Sequence, residues 1–152
     1  MGRTHMAFGF LAGLLFYKLF HTHWFIFIPL AIFGSLLPDI DHHNSKINNL
    51  IPITKIVPAF FKHRGFFHSI WPAGIIYFGF SIAGLSIYGA PLAVGYLSHL
   101  FSDCLTKLGC NLLHPVSTFR VQGFIYTGGP MELITLGVVY CLGALLVLKQ
   151  VF

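Results

Sequence analysis

Between Ser69 and Tyr88 the chain runs for twenty residues without a charged side chain, and four other stretches are nearly as apolar. In lipid such segments fold as helices, because every backbone N–H and C=O must then be satisfied within the segment. Histidines and aspartates stand at their ends, mostly at one set of ends. Three of the four acidic residues belong to this set: Asp39 and Asp41 close the second apolar segment, and Asp103 lies in the last turns of the fourth. His5 precedes the first segment, His42 and His43 follow Asp41, His63 and His68 open the third, and His99 accompanies Asp103. Ionisable groups at membrane depth are expensive and usually functional. Histidine with aspartate is also the ligand set of zinc and related divalent ions. The pattern points to a metal site built into a membrane protein.

A mean hydropathy of +0.80 with only 9% charged residues excludes an ordinary soluble domain. At 152 residues the chain is expected to be a single all-α domain, a polytopic membrane bundle of about five helices, the first two short. Hydropathy and helix breakers place them at about Met6–Phe20, Trp24–Leu37 (stopped by Pro38), Ser69–Tyr88 (ended by Gly89-Ala90-Pro91), Leu92–Lys107 and Met131–Leu148. The start, Met1-Gly2-Arg3 and an apolar run, resembles a signal peptide. No small-residue cleavage site follows it, so an uncleaved first helix is expected. The connection Asn44–Lys62 mixes lysines with isoleucines and Phe60 and Phe61, as suits a segment in the membrane interface. Around Gln122-Gly123 a short hairpin is expected, flanked by Thr118, Val121, Phe124 and Tyr126. Cys104, Cys110 and Cys141 form no CxxC and read as small residues in helix packing rather than a disulfide framework.

With the N-terminus in the cytoplasm, seven of the nine lysines and arginines fall inside (Arg3, Lys46, Lys55, Lys62, Arg64, Lys107, Arg120), against Lys18 and Lys149 outside. That orientation places His5, Asp39, Asp41, His42, His63, His68, His99, Asp103 and Glu132 on the same cytoplasmic side, though the charge rule did not require it. His99 and Asp103 are i,i+4 and share one helix face with Gly95. His5, Gly9 and Gly13 form a similar stripe, and Gly9-x-x-x-Gly13 is a close-packing pattern of membrane helices, so the stripe carries His5 toward the bundle interior.

Thr4-His5, Pro38-Asp39-Ile40-Asp41-His42, His63-Arg64-Gly65-Phe66-Phe67-His68-Ser69 and the run Gly95–Asp103 (Gly-Tyr-Leu-Ser-His-Leu-Phe-Ser-Asp) resemble, in order, motifs of the YdjM family. The resemblance covers the chain from His5 to about Arg120. That family is described as inner-membrane-associated metal-dependent hydrolases, with a LexA-binding note in its name. It implies His5, Asp39, Asp41, His63, His68, His99 and Asp103 as ligands of one or two divalent ions, most simply Zn2+. In Leu112-Leu113-His114-Pro115-Val116-Ser117 the family is expected to carry Trp where His114 stands. The terminal His, scattered His and Asp, and His-x-x-x-Asp helix are also similar to zinc-dependent phospholipases C.

Other residues keep two readings. His42 and Glu132 are candidates to support the ligands from behind, yet His43 reads as a solvated neighbour of His42. Glu132, after Pro130, also suits a helix N-terminus. His114 is a loop residue or a ligand. Arg64 and Arg120 are positive-inside anchors or phosphate-binding groups, with Lys62 beside them. His21 and His23, next to Trp24, are anchors at the opposite interface. Seven ligands exceed the needs of one zinc, so a two-ion hydrolase of phosphoesters is expected, with Asp41 or Asp103 as proton acceptor. No GxSxG or HExxH competes. The expected substrate is a membrane phospholipid or another amphipathic phosphoester, the expected setting the inner membrane with the site facing the cytoplasm, and no nucleic-acid partner is expected. Two alternatives stand: a non-catalytic LexA-binding-type interaction protein, and a metal or proton transporter. Against transport, the interiors of the third and fifth helices are apolar apart from Ser81, Ser86 and Thr135.

Overall fold

A computed structural model describes residues 2–42, 45–60 and 64–151, and every named element among them is helical. Five principal helices are α1 (Gly2–Phe16), α2 (Trp24–Gly34), α4 (Trp71–Ile82), α5 (Ser86–Cys104) and α6 (Pro130–Val151), with a short α3 (Lys46–Leu50) between α2 and α4. Single 3-10 segments cover Leu37–Asp41, Pro52–Ala59 and Phe66–His68. By length and composition, two segments are long and apolar enough to cross a membrane, Trp24–Asp41 and Pro130–Gln150. α1, α2 and α4, at 15, 11 and 12 residues, fall short of the roughly 20 residues of a full span.

Close backbone approach organises the bundle. Gly9 and Gly13 of α1 face α2: a Cβ on Gly9 would lie 2.7 Å from Ser35 Oγ, and one on Gly13 3.1 Å from Ile28 Cα. A Cβ on Gly95 of α5 would strike the carbonyl of Ala31. α2 is therefore gripped on two sides by small residues, the packing logic of membrane helices. The stripe read from the sequence does face inward, and it carries His5 with it. Three apolar clusters fill the rest: Ala7, Phe8 and Val139 join α1 to α6, Phe27, Ala31 and Ala90 join α2 to α5, and Ala73, Tyr96 and Leu100 join α4 to α5. The outward faces of α4 and α6 are apolar as well, with Ile75, Phe78, Ile134, Val138 and Leu145 exposed. In water such surfaces are an aggregation hazard, and in lipid they are the expected exterior.

Several boundaries differ from expectation. α1 runs Gly2–Phe16 instead of about Met6–Phe20, so His5 lies inside the helix and does not precede it. The turn expected at Gly89-Ala90-Pro91 falls at Ala83–Leu85, because Gly84 accepts a left-handed φ of +72° without steric cost. α5 then runs through Pro91, which forfeits one early helical hydrogen bond. α2 ends at Gly34, not Leu37, and Pro38 opens the 3-10 segment instead of merely stopping a helix. The expected hairpin at Gln122-Gly123 is absent among the described residues. Val121 pairs antiparallel with Cys110, and Ile125 pairs parallel with Thr106, so the segment folds back on the chain leaving α5. There Cys104 Sγ and Cys110 Sγ lie 2.9 Å apart, so these two cysteines meet each other as free thiols. That hydrogen bond, with burial, pushes the Cys110 thiol up. In the connection between α2 and α4, Ile53, Ile56 and Phe60 are exposed.

Candidate metal centre

Five chain segments meet at one end of the bundle. α1 enters with His5, the 3-10 turn after α2 brings Asp39 and Asp41, the 3-10 turn before α4 brings His68, and the last turns of α5 bring His99 and Asp103. α6 begins at the same end with Glu132. His5, His68, His99 and Asp103 are all at most 2% exposed, whereas the Asp39 side chain is 20% exposed.

Each imidazole is fixed through Nδ1. His99 Nδ1 donates to the carbonyl of Ser35 at 2.7 Å, an acceptor freed by the end of α2. Ser102 Oγ gives its own proton to the carbonyl of His99 (2.9 Å), so it accepts from His5 Nδ1 at 2.7 Å. His68 Nδ1 lies 3.2 Å from Asp41 Oδ2. With these tautomers, inferred from the hydrogen-bond partners, all three Nε2 atoms present lone pairs toward the carboxylates of Asp39 and Asp103. A histidine whose second nitrogen donates to a carboxylate, carbonyl or hydroxyl is the usual posture of a metal ligand.

The distances discriminate. His5 Nε2 is 3.7 Å from Asp103 Oδ1. His68 Nε2 is 3.6 Å from Asp103 Oδ2 and 3.9 Å from Asp39 Oδ1. His99 Nε2 is 3.9 Å from both Asp39 Oδ1 and Asp103 Oδ2. These are too long for hydrogen bonds. They are close to the roughly 3.4 Å that separates two ligands of a tetrahedral ion with bonds of about 2.1 Å. Two overlapping groups, His5–Asp39–His99 and His68–His99–Asp103, each keep one ligand atom per residue within 4.8 Å of the others. His99 Nε2 is buried without a hydrogen-bond partner among the described residues.

Arg64 ties the cluster together. Its backbone N–H reaches Asp41 Oδ2 at 3.0 Å, and its guanidinium holds Asp103 Oδ2 at 3.2 Å and the carbonyl of Gly109 at 2.7 Å. To do so it adopts φ +62°, a conformation that residues with a Cβ rarely take. Behind the loop, the buried Tyr96 hydroxyl donates to the carbonyl of Phe67, fixing the turn that presents His68.

Of the residues singled out from sequence, the structure brings together His5, Asp39, Asp41, His68, His99, Asp103 and Arg64. Asp41 belongs to neither group of three and stands behind His68. His63, His43 and Lys62 lie outside the described residues. Arg120 is exposed and donates to the carbonyl of Leu108 at 3.2 Å, with no ion pair to the cluster carboxylates among the described contacts. His42 is exposed, and its carbonyl accepts from Asn48 Nδ2 at 2.9 Å. Glu132 takes the helix-terminus role: Oε2 accepts from the N–H of Gly128 and Oε1 from Thr4 Oγ1, both at 2.7 Å. It thereby docks α6 beside His5. His114 lies in the loop after α5, and the exposed His21 and His23 sit in the α1–α2 turn. Sequence reasoning passed over Ser35, Tyr96 and Ser102. Only Ser102 left a signal, being one helical turn from His99.

An all-helical, apolar-surfaced protein with a buried His–Asp cluster able to hold a metal ion is therefore the class that fold and site define. The chain belongs to the YdjM inner membrane protein family, whose family model matches residues 1–151. Inner membrane protein YdjM of Escherichia coli (strain K12) is 35% identical over 99 residues, which cover 60% of this chain and 50% of that protein. The Shigella flexneri protein of the same name matches to the same extent. The uncharacterized protein YvsG of Bacillus subtilis (strain 168) is 43% identical over 96 residues, 61% of this chain and 59% of that protein. The matches thus span between a half and three-fifths of the length of these curated relatives. No solved structure matches the chain.

Proposed function

We propose that the protein is a membrane-embedded, metal-dependent hydrolase that cleaves a phosphoester of a membrane lipid or similar amphipathic substrate. The observation that carries this reading is the convergence of three Nδ1-anchored histidines on two carboxylates at distances suited to a shared ion. Zn2+ fits the nitrogen-rich donor set best. The described residues supply three imidazoles and two carboxylates, enough for one ion, with a second drawing on Asp41 and its neighbours. The bundle is read as multi-pass in the inner membrane, with the cluster at its cytoplasmic end, on the strength of the cation bias and the apolar outer faces.

When bound, a divalent ion supplies Lewis acidity that lowers the pKa of water toward 7 and polarises a phosphoryl oxygen. The chain's residues do the rest. His5, His68 and His99 would hold the ion through Nε2, and Asp103, neutralised in part by Arg64, would complete the set. Asp41 orients His68 through Nδ1. Asp39, the most exposed of the three carboxylates, would be the one to accept a proton from water. Arg64 keeps positive charge beside the developing phosphate charge.

Metal analysis of the purified full chain, joined to a phospholipid and soluble phosphodiester hydrolysis screen, tests the reading. Roughly one or two zinc ions per chain are expected, with turnover lost to chelator and restored by added divalent metal. Turnover surviving complete metal removal would end it. Native protein without metal, indifferent to replacement of the cluster histidines, would favour the interaction-protein alternative.

A further inference from the structure

The chain leaving α5 holds two free thiols against each other. Cys104 closes the helix and Cys110 follows six positions later, with their Sγ atoms 2.9 Å apart. Backbone contacts pin the turn between them. Cys110 exchanges both main-chain hydrogen bonds with Val121, at 3.0 and 2.9 Å. Thr106 Oγ1 donates to the carbonyl of Asp103 at 2.8 Å and accepts from the N–H of Gly109 at 3.2 Å. Gly109 takes a left-handed φ of +58° against the Val121 carbonyl, where a Cβ has no room. Arg64 clamps the same turn, its guanidinium reaching the Gly109 carbonyl at 2.7 Å and Asp103 Oδ2 at 3.2 Å. The thiol contact is thus built by the backbone. A shared ion does not account for it, because two thiolates on a tetrahedral zinc with bonds of about 2.3 Å stand roughly 3.8 Å apart. A disulfide needs roughly 2.05 Å, so a sulfur movement of less than about 1 Å completes the bond.

We propose that Cys104 and Cys110 form a reversible oxidation site, closed to a disulfide by a hydroperoxide, and that the bond locks the turn that Arg64 clamps. The two thiols are unequally placed. Cys104 is half-buried and Cys110 buried. Of the two, Cys104 lines a cavity of about 430 Å3 walled by Ile70, Leu97, Leu100 and Leu105. Such walls suit a small uncharged oxidant and give an ionic one, such as an oxidised tripeptide thiol, no polar anchor. Cys104 therefore reacts first. Its sulfur attacks the outer oxygen of the hydroperoxide, the O–O bond breaks, the remaining oxygen leaves as an alcohol or water, and Cys104 becomes a sulfenic acid. The Cys110 sulfur then attacks that sulfur, the S–O bond breaks, and the hydroxyl leaves as water with the Cys110 proton. Two thiols lose two electrons and two protons, and the peroxide bond takes them up. Thiol pairs facing the cytoplasm are usually transient and redox-sensing when they oxidise, which matches the orientation read from the cation bias. The proposal does not depend on the chemistry of the His–Asp cluster.

The test uses the reduced full chain in nanodiscs of phosphatidylethanolamine and phosphatidylglycerol. It is given either hydrogen peroxide in the water or a phospholipid hydroperoxide in the bilayer, then alkylated and mapped by peptide mass spectrometry. A Cys104–Cys110 disulfide within each chain is expected, reversed by dithiothreitol, with Cys141 of α6 still alkylable. The faster arm names the side from which the oxidant comes. In Cys110→Ser, dimedone should trap Cys104 as the sulfenic acid, whereas Cys104→Ser should leave Cys110 reduced; the wild-type map is readable even if either variant does not fold. The disulfide form should unfold on the order of 5 °C above the dithiol form, as closing a short loop stabilises a chain of this size. Four results would each overturn the proposal: both thiols still alkylable under conditions that oxidise free glutathione in the same solution, a principal bond to Cys141, sulfenic acid appearing first on Cys110, or a disulfide form no more stable than the dithiol.

Discussion

His99 Nδ1 donates to the carbonyl of Ser35 at 2.7 Å, so the C-terminal end of α2 sets the tautomer of a histidine on α5. The consequence is at the other nitrogen. Nε2 is left as a lone pair in a fully buried position, facing Asp39 and Asp103 at 3.9 Å each. Burying an imidazole this way is unfavourable unless something accepts the lone pair, and the two carboxylates beside it cannot, being acceptors themselves. His99, Asp39 and Asp103 thus stand where they could hold a cation.

His99→Ala and Asp103→Asn should each abolish metal retention and hydrolysis, while His21→Ala and His23→Ala should leave both unchanged. His21 and His23 lie in the turn at the far end of α1, with about 16 Å of helix between His5 and Phe16 alone. Metal content per chain, measured beside turnover, separates the two pairs. Equal behaviour of all four folded variants would sink the shared site.

Ser102→Ala is the sharper test of geometry, because Ser102 touches no ion in this arrangement. It relays a hydrogen bond from His5 Nδ1 to the carbonyl of His99, and it lies beneath the stacked rings of His5 and His99, whose centroids are 3.8 Å apart. Losing such a supporting partner typically lowers metal affinity by about 10–100-fold. Competition with a chelator of known affinity should show that loss without a change in helical content. An unaltered affinity would mean that Ser102 only packs.

Gly95→Leu should destabilise the bundle at the upper end of the roughly 1–3 kcal/mol typical of overpacking. The new Cβ meets the backbone carbonyl of Ala31, not a side chain that can move aside. Since α2 would be pushed from α5, Ser35 would also leave His99. Thermal unfolding in detergent and metal retention should fall together, and a variant as stable as the parent would contradict the close α2–α5 approach.

How much of this was legible in the sequence depends on where each signal lives. His5, Asp39, His99 and Asp103 were legible because ionisable side chains stand out against apolar runs, and the Gly9–Gly13 stripe because close packing needs a repeated small residue. The partners that set the tautomers were not. Ser35 acts through a backbone carbonyl, which any residue could offer, and Asp41 stands behind His68 only because the Arg64 turn brings the two loops together. The α4–α5 turn was misplaced because Pro91 is the louder breaker, yet it is tolerated early in a helix that Gly84 has already allowed to start.

The cation distribution gives the last prediction. Among the described residues, Arg3, Lys46, Lys55, Arg64, Lys107 and Arg120 belong to the helix ends and connections on the cluster side, and Lys18 and Lys149 to the opposite side. On the proposed multi-pass reading, the positive-inside rule would put the cluster end in the cytoplasm, and five membrane-crossing helices would put Lys55 and Lys149 on opposite sides of the membrane. Single cysteines introduced as Lys55→Cys and Lys149→Cys, in a background with the three native cysteines replaced by serine, should report this. An impermeant maleimide should label position 149 in intact cells and position 55 only after the membrane is opened. Labelling of both from one side would remove the odd helix count. Labelling in the reverse order would keep the bundle but turn the cluster outward, and with it the leaflet from which a lipid substrate is drawn.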